Sequence, residues 1–358
     1  MEEPLITLND RINEQRNDPT LVACHCRITE TVTQRVSRKL RWMHHLRALA
    51  LLPVQQRAQM PAQALVSGGD LDCKTSEPSA AAAFFQVTGV SVFEAEVAVD
   101  LIDACRSAVD AISLEVDAAL MKHGLAPNVT LGSSDFAFNE VVRRGRGRLD
   151  IRGMGMGAPP LNDERLHGEA PWWPFVRAVL GENAHECFRG IMDNRPGSAT
   201  QAWHADGPEE RVAQEGHDQH SEDASAPAQC ITVFVPLVST SDAACGPTQF
   251  FPGSHPYRVR ADYHLLSASD HPGQPPFCTP QTERGGLIAF DYRLIHRGTA
   301  NTRSIGQARA ASRPVLYVVY AREGYSDEHN FPTNAPLFDF DTDRARLHEL
   351  RTSTVGQT

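Results

Sequence analysis

The second half of the chain is a series of short apolar runs, rich in β-branched and aromatic residues and separated by Pro, Gly and Asn. These runs span residues 187–192, 231–237, 246–255, 285–291 and 313–320. Runs of that length and composition are typical of strands, and the residues between them are typical of turns. No G-x-G-x-x-G loop and no long helical pattern lies between them. The pattern predicts a mainly β protein with an antiparallel jelly-roll, cupin-like core, whose mouth can hold one ligand.

Two helical patterns lie upstream of these strands. From Phe93 to about His123, apolar residues recur at three- and four-residue steps and Gly124 ends the pattern, which predicts a flanking helix. Residues 27–57 are rich in Arg and Lys, with Glu30 as their only acid, and apolar positions within 32–50 predict a basic amphipathic helix. Such a helix packs on the barrel exterior, or makes a weak contact with a membrane surface or a partner protein.

The domain organisation follows from these patterns. Residues 68–83, from Gly68-Gly69 to the run of alanines, look like a linker. We therefore expect an N-terminal extension over residues 1–78, with the basic helix and the linker, and a main domain over residues 79–358.

Candidate metal ligands occur at the start and near the end of the strand series. His204 and Asp206 are two residues apart, so on a strand both side chains point to one face, and His296 follows a later strand. Two imidazoles and one carboxylate form the facial triad of non-haem Fe(II) oxygenases, which leaves positions open for a chelating 2-oxo acid and O2. His167-x-Glu169 has the same spacing, but its surroundings indicate a loop.

Residues 84–320, about two thirds of the chain, resemble the phytanoyl-CoA dioxygenase family of Fe(II)/2-oxoglutarate oxygenases. The motifs that carry the resemblance are Phe84-Phe85-x3-Gly89, Gln201-x2-His204-x-Asp206, Phe234-x-Pro236-Leu237, Gly246-Pro247-Thr248 leading to Pro252-Gly253-Ser254-His255, and His296-x4-Asn301. The resemblance implies a double-stranded β-helix core that uses Fe(II), 2-oxoglutarate and O2. It assigns the metal and catalytic roles to His204, Asp206 and His296, the distal carboxylate of 2-oxoglutarate to Arg313, and supporting polar contacts to Gln201 and Thr248.

An arginine suits the co-substrate role because its planar guanidinium pairs with a carboxylate through two hydrogen bonds. Arg313 opens the last apolar run, whereas Arg303 and Arg309 lie in the loop before it. That loop is longer than the family usually shows, so Arg303 and Arg309 remain alternatives. Position 206 is Asp, whereas the related iron halogenases lack this carboxylate; the residue therefore favours oxygen chemistry.

Several other residues could belong either to the site or to the structure around it. Arg148 and Arg152 either face the cavity and meet an anionic substrate group or point outward from an ordinary strand. His255 is expected to be a turn and packing residue, and Trp203, out of phase with His204, is expected to pack under the sheet. The acid-rich segment 208–228, which contains His217 and His220, is expected to be a flap over the site and not a second metal site.

The composition restricts the partners. A net charge of −10 argues against general nucleic-acid binding. The chain contains no apolar run of about 18 residues, no apolar segment near its start and no peroxisomal address. The eight cysteines are scattered, and Cys24-His25-Cys26 lacks a second half for a zinc site. We therefore expect an intracellular, cytoplasmic protein with reduced thiols and without a transmembrane segment.

The sequence thus predicts a dioxygenase that oxidises a C–H bond of a small molecule and releases succinate and CO2. A free metabolite is favoured over an acyl-CoA, because no adenine- or phosphate-binding motif is present. Two alternatives remain. One is a cupin-like metalloenzyme, an isomerase or hydrolase, that does not use 2-oxoglutarate. The other is a non-catalytic jelly-roll binding module.

Overall fold

The computed structural model describes residues 71–125, 136–207, 227–255, 277–304, 311–325, 327, 330 and 334–338. All of them belong to the compact unit Pro61–Thr358. The expected basic helix, Cys24-His25-Cys26, most of the 208–228 segment and Arg309 lie outside the described residues. The interpretations made for them remain predictions.

The described residues form three α-helices and ten β-strands. In chain order these are β1 (Asp72–Cys73), α1 (Pro78–Thr88), β2 (Val90–Phe93), α2 (Val99–Lys122), β3 (Val141–Gly145), β4 (Arg148–Arg152), α3 (Trp173–Leu180), β5 (His185–Asn194), β6 (Cys230–Pro236), β7 (Thr248–Phe250), β8 (Leu287–Asp291), β9 (His296–Gly298) and β10 (Arg313–Ala321). None of these helices has the length and apolar character needed to cross a lipid bilayer.

Eight strands form one sheet in the order β1-β2-β8-β6-β10-β5-β4-β3, and β7 pairs with β9 in a second, small sheet. Every pairing is antiparallel except that of β1 with β2. The prediction of a mainly β, jelly-roll core with flanking helices is confirmed. The five predicted strand runs all contain strands, and β1–β4 and β9 are additional.

Strand alternation gives the large sheet two different faces. On one face, residues such as Ile151, Ile191 and Leu316 belong to the main hydrophobic core. This core also contains the buried faces of the helices, and Phe85 of α1 meets Phe175 of α3 edge to face with ring centroids 5.4 Å apart. The other face lines a cavity, so the helices support the sheet from behind while its front remains free for a site.

Two expectations need correction. The linker expected over residues 68–83 ends earlier, because α1 begins at Pro78 and buries Ala81 and Ala82 in the core. The helix expected from Phe93 begins only at Val99, because residues 90–93 form β2 and pair with β8. In both places tertiary packing of short apolar segments overrides the local pattern.

Candidate functional site

His204, Asp206 and His296 meet at the edge between the small sheet and the cavity. One ligand atom from each lies within 4.8 Å of the others, and these three form the only group of potential metal ligands found among the described residues. Asp206 Oδ1 is 3.6 Å from His296 Nε2 and 4.0 Å from His204 Nε2. A metal ion between these atoms would have two imidazole nitrogens and one carboxylate oxygen on one side.

The two histidines are brought together by a backbone bridge. His204 lies in an extended segment outside the named strands and exchanges two hydrogen bonds with His296, with N···O distances of 3.0 and 2.8 Å. The expectation that His204 and Asp206 lie on a regular strand is therefore wrong, because only this one residue pair is bridged. An extended backbone is still enough to direct both side chains to one side.

Both imidazoles are held in the tautomer that a metal requires. His204 Nδ1 lies 2.9 Å from the carbonyl oxygen of Ala202, and His296 Nδ1 lies 2.9 Å from that of Leu294. A carbonyl only accepts, so each Nδ1 donates its proton and each Nε2 keeps a lone pair towards Asp206. Backbone partners of this kind orient metal-binding histidines and fix their tautomer.

His296 is the more deeply buried of the two candidate histidine ligands. Its ring packs against both Phe250 and Phe290, with centroids 5.8 and 4.9 Å away, and the residue is only 4% exposed. Burial lowers the pKa of His296 to about 4, although Asp206 opposes the shift. The imidazole is therefore neutral at physiological pH, which is the form that binds a metal.

The backbone of Asp206 is held by Asn330, a residue that no sequence motif indicated. Asn330 Nδ2 donates to the backbone carbonyl of Asp206 at 2.7 Å and to Asp327 Oδ2 at 3.0 Å. The Tyr292 hydroxyl donates to the same Asp327 carboxylate. Asn330 lies more than 120 residues from Asp206 in the sequence and carries no motif, so only the folded chain reveals this contact.

The cavity next to the triad has a volume of about 470 Å³, which is within the range of small-molecule sites. Gln201, Thr248, Arg313 and all three triad residues line it. Arg313 is 3% exposed, and its Nε has no hydrogen-bond partner among the described residues. Burial lowers the pKa of Arg313 to about 10. A buried guanidinium with an unsatisfied Nε favours the binding of an anion, since a charge without hydrogen-bond partners is costly in the interior.

Arg148 lies near Arg313, because both pair with Asn194 of β5, one from each side. Arg148 is 2% exposed and donates from Nη2 to the carbonyls of Ala199 and Thr299 at 3.3 and 3.1 Å. Burial, followed by the charge of Arg313, lowers the pKa of Arg148 to about 9. Of the two sequence interpretations of this arginine, the structure supports the one that faces the cavity.

Gln201 and Thr248 lie against opposite sides of Gly298 in β9. Gln201 Oε1 accepts from the Gly298 N–H at 3.0 Å, and Thr248 pairs with Gly298 across the small sheet. A Cβ on Gly298 would overlap the guanidinium of Arg148 and lie 2.7 Å from Gln201 Oε1. Glycine at this position therefore leaves space for the side chains of Arg148 and Gln201 beside the cavity.

The other polar residues considered from the sequence that the structure describes do not line the cavity. Arg303 pairs with Asp242 at 2.9 Å and does not line the cavity. His167 lies in a turn and contacts Glu186, away from the triad. Arg152 pairs with Asp150 at 2.8 Å instead of facing the open cavity.

The two expected packing residues are buried. His255 lies with its Nε2 3.1 Å from the Gln86 carbonyl oxygen. Trp203 packs on Phe251 with centroids 4.2 Å apart, and the guanidinium of Arg297 lies 4.1 Å from its ring centroid.

The donor set fits an Fe(II) ion and a dicarboxylate. Nitrogen and oxygen ligands on one side leave positions for a chelating co-substrate, and the unpaired Arg313 guanidinium lies in the same cavity. A fully coordinated structural zinc site would need a fourth protein ligand, and the described residues offer none in this group.

The chain is similar to a curated protein, to solved structures and to a family sequence model. A curated relative, "Dioxygenase hkm4" from Aspergillus hancockii, is 27% identical over 122 residues, which are 34% of this chain and 35% of the relative. The chain thus matches only about a third of that relative's length. EctD from S. alaskensis, crystallised with 2-oxoglutarate and 5-hydroxyectoine, superposes with a TM-score of 0.47 at 19% identity over 72% of this chain and 80% of its own.

HygX from Streptomyces hygroscopicus, crystallised with nickel and 2-oxoglutarate, gives a TM-score of 0.45 at 13% identity over 73% of this chain and 96% of its own.

The family comparison is the decisive one, because the sequence model of the phytanoyl-CoA dioxygenase (PhyH) family matches residues 86–309, more than half of the chain. The chain belongs to the phytanoyl-CoA dioxygenase (PhyH) family.

Proposed function

We propose that this protein is an Fe(II)- and 2-oxoglutarate-dependent dioxygenase that oxidises a C–H bond of a small molecule, with release of succinate and CO2. The observation that carries the proposal is the convergence of His204 Nε2, His296 Nε2 and an Asp206 oxygen beside an unpaired buried arginine. Bound Fe(II) and 2-oxoglutarate would supply the activation of O2 and the oxidising power.

The protein's own residues have four tasks in this proposal. His204, His296 and Asp206 bind the metal on one side and leave the cavity side open. Arg313 binds the distal carboxylate of 2-oxoglutarate, and Gln201 and Thr248 border the same pocket. The carbonyls of Ala202 and Leu294 keep the histidine protons on Nδ1. Phe250 and Phe290 exclude water from one side of the site.

The cupin-like alternative that does not use 2-oxoglutarate leaves Arg313 unexplained. A buried guanidinium whose Nε has no partner among the described residues is unfavourable unless an anion binds it. A non-catalytic binding module has no need for two histidines held in the metal-binding tautomer.

The test is anaerobic titration of the full chain with Fe(II), then with 2-oxoglutarate, while the visible spectrum is recorded. We expect a weak charge-transfer band that requires both additions, because a 2-oxo acid chelates the metal through two oxygens. Iron binding without such a band would refute the co-substrate and favour the isomerase or hydrolase alternative. A band followed by succinate formation on admission of O2 would support the dioxygenase.

A further inference from the structure

We infer that the substrate is an organic acid with an apolar body, and that its carboxylate or phosphate group is bound by arginines of the β3–β4 hairpin. This inference rests on the proposed function and names the substrate class of the same cavity. It comes from the charges and apolar side chains that remain in the cavity once the metal and co-substrate have been assigned.

The co-substrate end of the cavity is electrically balanced. Asp206 and a doubly charged 2-oxoglutarate together neutralise Fe(II) and Arg313, so the occupied centre carries no net formal charge. Any further charged residue in the lining must therefore be balanced by a neighbour or by the substrate.

The hairpin supplies an excess of positive charge. Arg144, Arg146 and Arg148 line the cavity, whereas Asp150 is the only carboxylate besides Asp206 in the described lining. Asp150 is already shared, because Arg144 lies 3.1 Å and Arg152 2.8 Å from its Oδ2. Asp150 is thus shared by two arginines, and Arg148 has no carboxylate partner among the described residues, in a chain whose net charge is −10.

The most deeply buried of these arginines, Arg148, is the strongest candidate to bind an anionic group. The described structure gives Arg148 only two carbonyl oxygens as hydrogen-bond partners and no acid. At 2% exposure its charge is shielded from water, and Arg313 nearby makes the guanidinium still less favourable without an anion. Arg144 lies nearer the mouth, with a third of its side chain exposed, so the arginines extend from the opening to the interior.

The part of the lining beside the hairpin, on β5, β10 and β6, is apolar. Met192 of β5, Phe234 of β6, and Val315 and Val319 of β10 face the same cavity. The Tyr317 hydroxyl, which also lines the cavity, donates to Asp150 at 2.7 Å and is not free to bind a polar substrate group. A ligand that satisfies both sides has a negatively charged head and a hydrocarbon or aromatic body.

The test uses benzoate and benzamide, which share their shape and differ in charge. The full chain is loaded with Ni(II), which does not turn over, and with saturating 2-oxoglutarate, and binding is measured by ligand-observed NMR. We expect saturable benzoate binding, with benzamide at least about tenfold weaker, because a hydrogen bond to a charged group contributes that much. Benzoate affinity should not change when the 2-oxoglutarate concentration is doubled.

Two variants test whether Arg144 and Arg148 bind the carboxylate of benzoate. Arg144→Gln and Arg148→Gln should each weaken benzoate by about tenfold and leave benzamide unchanged. Arg165→Gln is the matched control, since Arg165 is exposed, pairs with Asp163 and lies outside the cavity. Arg144→Gln leaves Asp150 paired with Arg152, so it tests the inference even if Arg148→Gln fails to fold.

Equal binding of the two probes, or no benzoate binding, would overturn the inference. Benzoate that competes with 2-oxoglutarate would also overturn it, because the anion would then be at Arg313. If the proposed function is wrong, the charge-transfer band that needs both Fe(II) and 2-oxoglutarate is absent. Benzoate binding to the protein without 2-oxoglutarate then still tests whether the hairpin arginines bind an anion.

Discussion

Replacement of Arg313 by Met should remove 2-oxoglutarate binding while making the metal-free protein no less stable. The residue is 3% exposed, and burial lowers its pKa from 12.5 to about 10. At ~1.4 kcal/mol for each pKa unit, the fold disfavours this charge by about 3 kcal/mol. Methionine has a similar length and carries no charge, so the metal-free variant should gain up to about 3 kcal/mol in free energy of unfolding.

The loss in binding follows from the contacts that Arg313 offers. A bidentate pair with the distal carboxylate consists of two charge-assisted hydrogen bonds, each worth about 1.5–3 kcal/mol. Their removal should raise the dissociation constant of 2-oxoglutarate by at least about 100-fold. Fe(II) or Ni(II) affinity should change little, because Arg313 is not one of the three residues proposed to bind the metal.

Calorimetric titration of 2-oxoglutarate into the Ni(II)-loaded protein measures the first effect, and urea unfolding of the metal-free protein measures the second. Arg303→Met is the control, since Arg303 pairs with Asp242 outside the cavity, and it should leave the affinity unchanged. The reasoning is refuted if Arg313→Met binds 2-oxoglutarate within about threefold of the wild type and is destabilised. If Arg309→Met loses the affinity instead, the co-substrate arginine is Arg309.

Three further predictions follow from the same contacts. Asp206→Ala should abolish Fe(II)-dependent succinate formation with an unchanged circular dichroism spectrum, and undiminished turnover would remove Asp206 from the metal site. Asn330→Ala should weaken Ni(II) binding about tenfold with little change in thermal stability, because it releases the Asp206 carbonyl; an unchanged metal affinity would limit Asn330 to a structural role. Asp291→Asn should destabilise the protein at pH 7 because Asp291 pairs with Arg293 at 2.8 Å. Burial raises the pKa of Asp291, but Arg293 lowers it more, so the pKa of Asp291 in the folded protein lies below 3.8. The stability difference between wild type and variant should therefore shrink as the pH falls below 3.8, because the folded protein loses the stabilising carboxylate charge. A constant difference in urea unfolding from pH 7 to pH 3 would contradict this.

The order of apolar runs and turns was enough to predict a mainly β core and the places of its strands. Strand propensity and turn chemistry are local properties, so residues 231–237 and 313–320 could be assigned without knowledge of their neighbours. The same local reasoning was wrong for residues 78–83, because alanines next to a proline and glycines look like a linker until Ala81 and Ala82 join the core together with Phe85.

The three residues proposed to bind the metal could be named from the sequence because their chemistry and spacing are specific as a set. The sequence could not show that His204 and His296 are joined by two backbone hydrogen bonds, or that each Nδ1 is held by a carbonyl. It also gave no sign of Asn330, which reaches Asp206 from the segment after the last strand.

What the sequence by itself determined is therefore the set of short strands and the residue types available for a metal site. The tertiary structure decided which charges remain without partners. The sequence left Arg303 as an alternative to Arg313, but in the fold Asp242 neutralises Arg303, whereas burial leaves the Nε of Arg313 without a hydrogen-bond partner among the described residues. The physical reason is that the cost of a charge depends on its solvent exposure and its neighbours, and both are set only when distant strands come together.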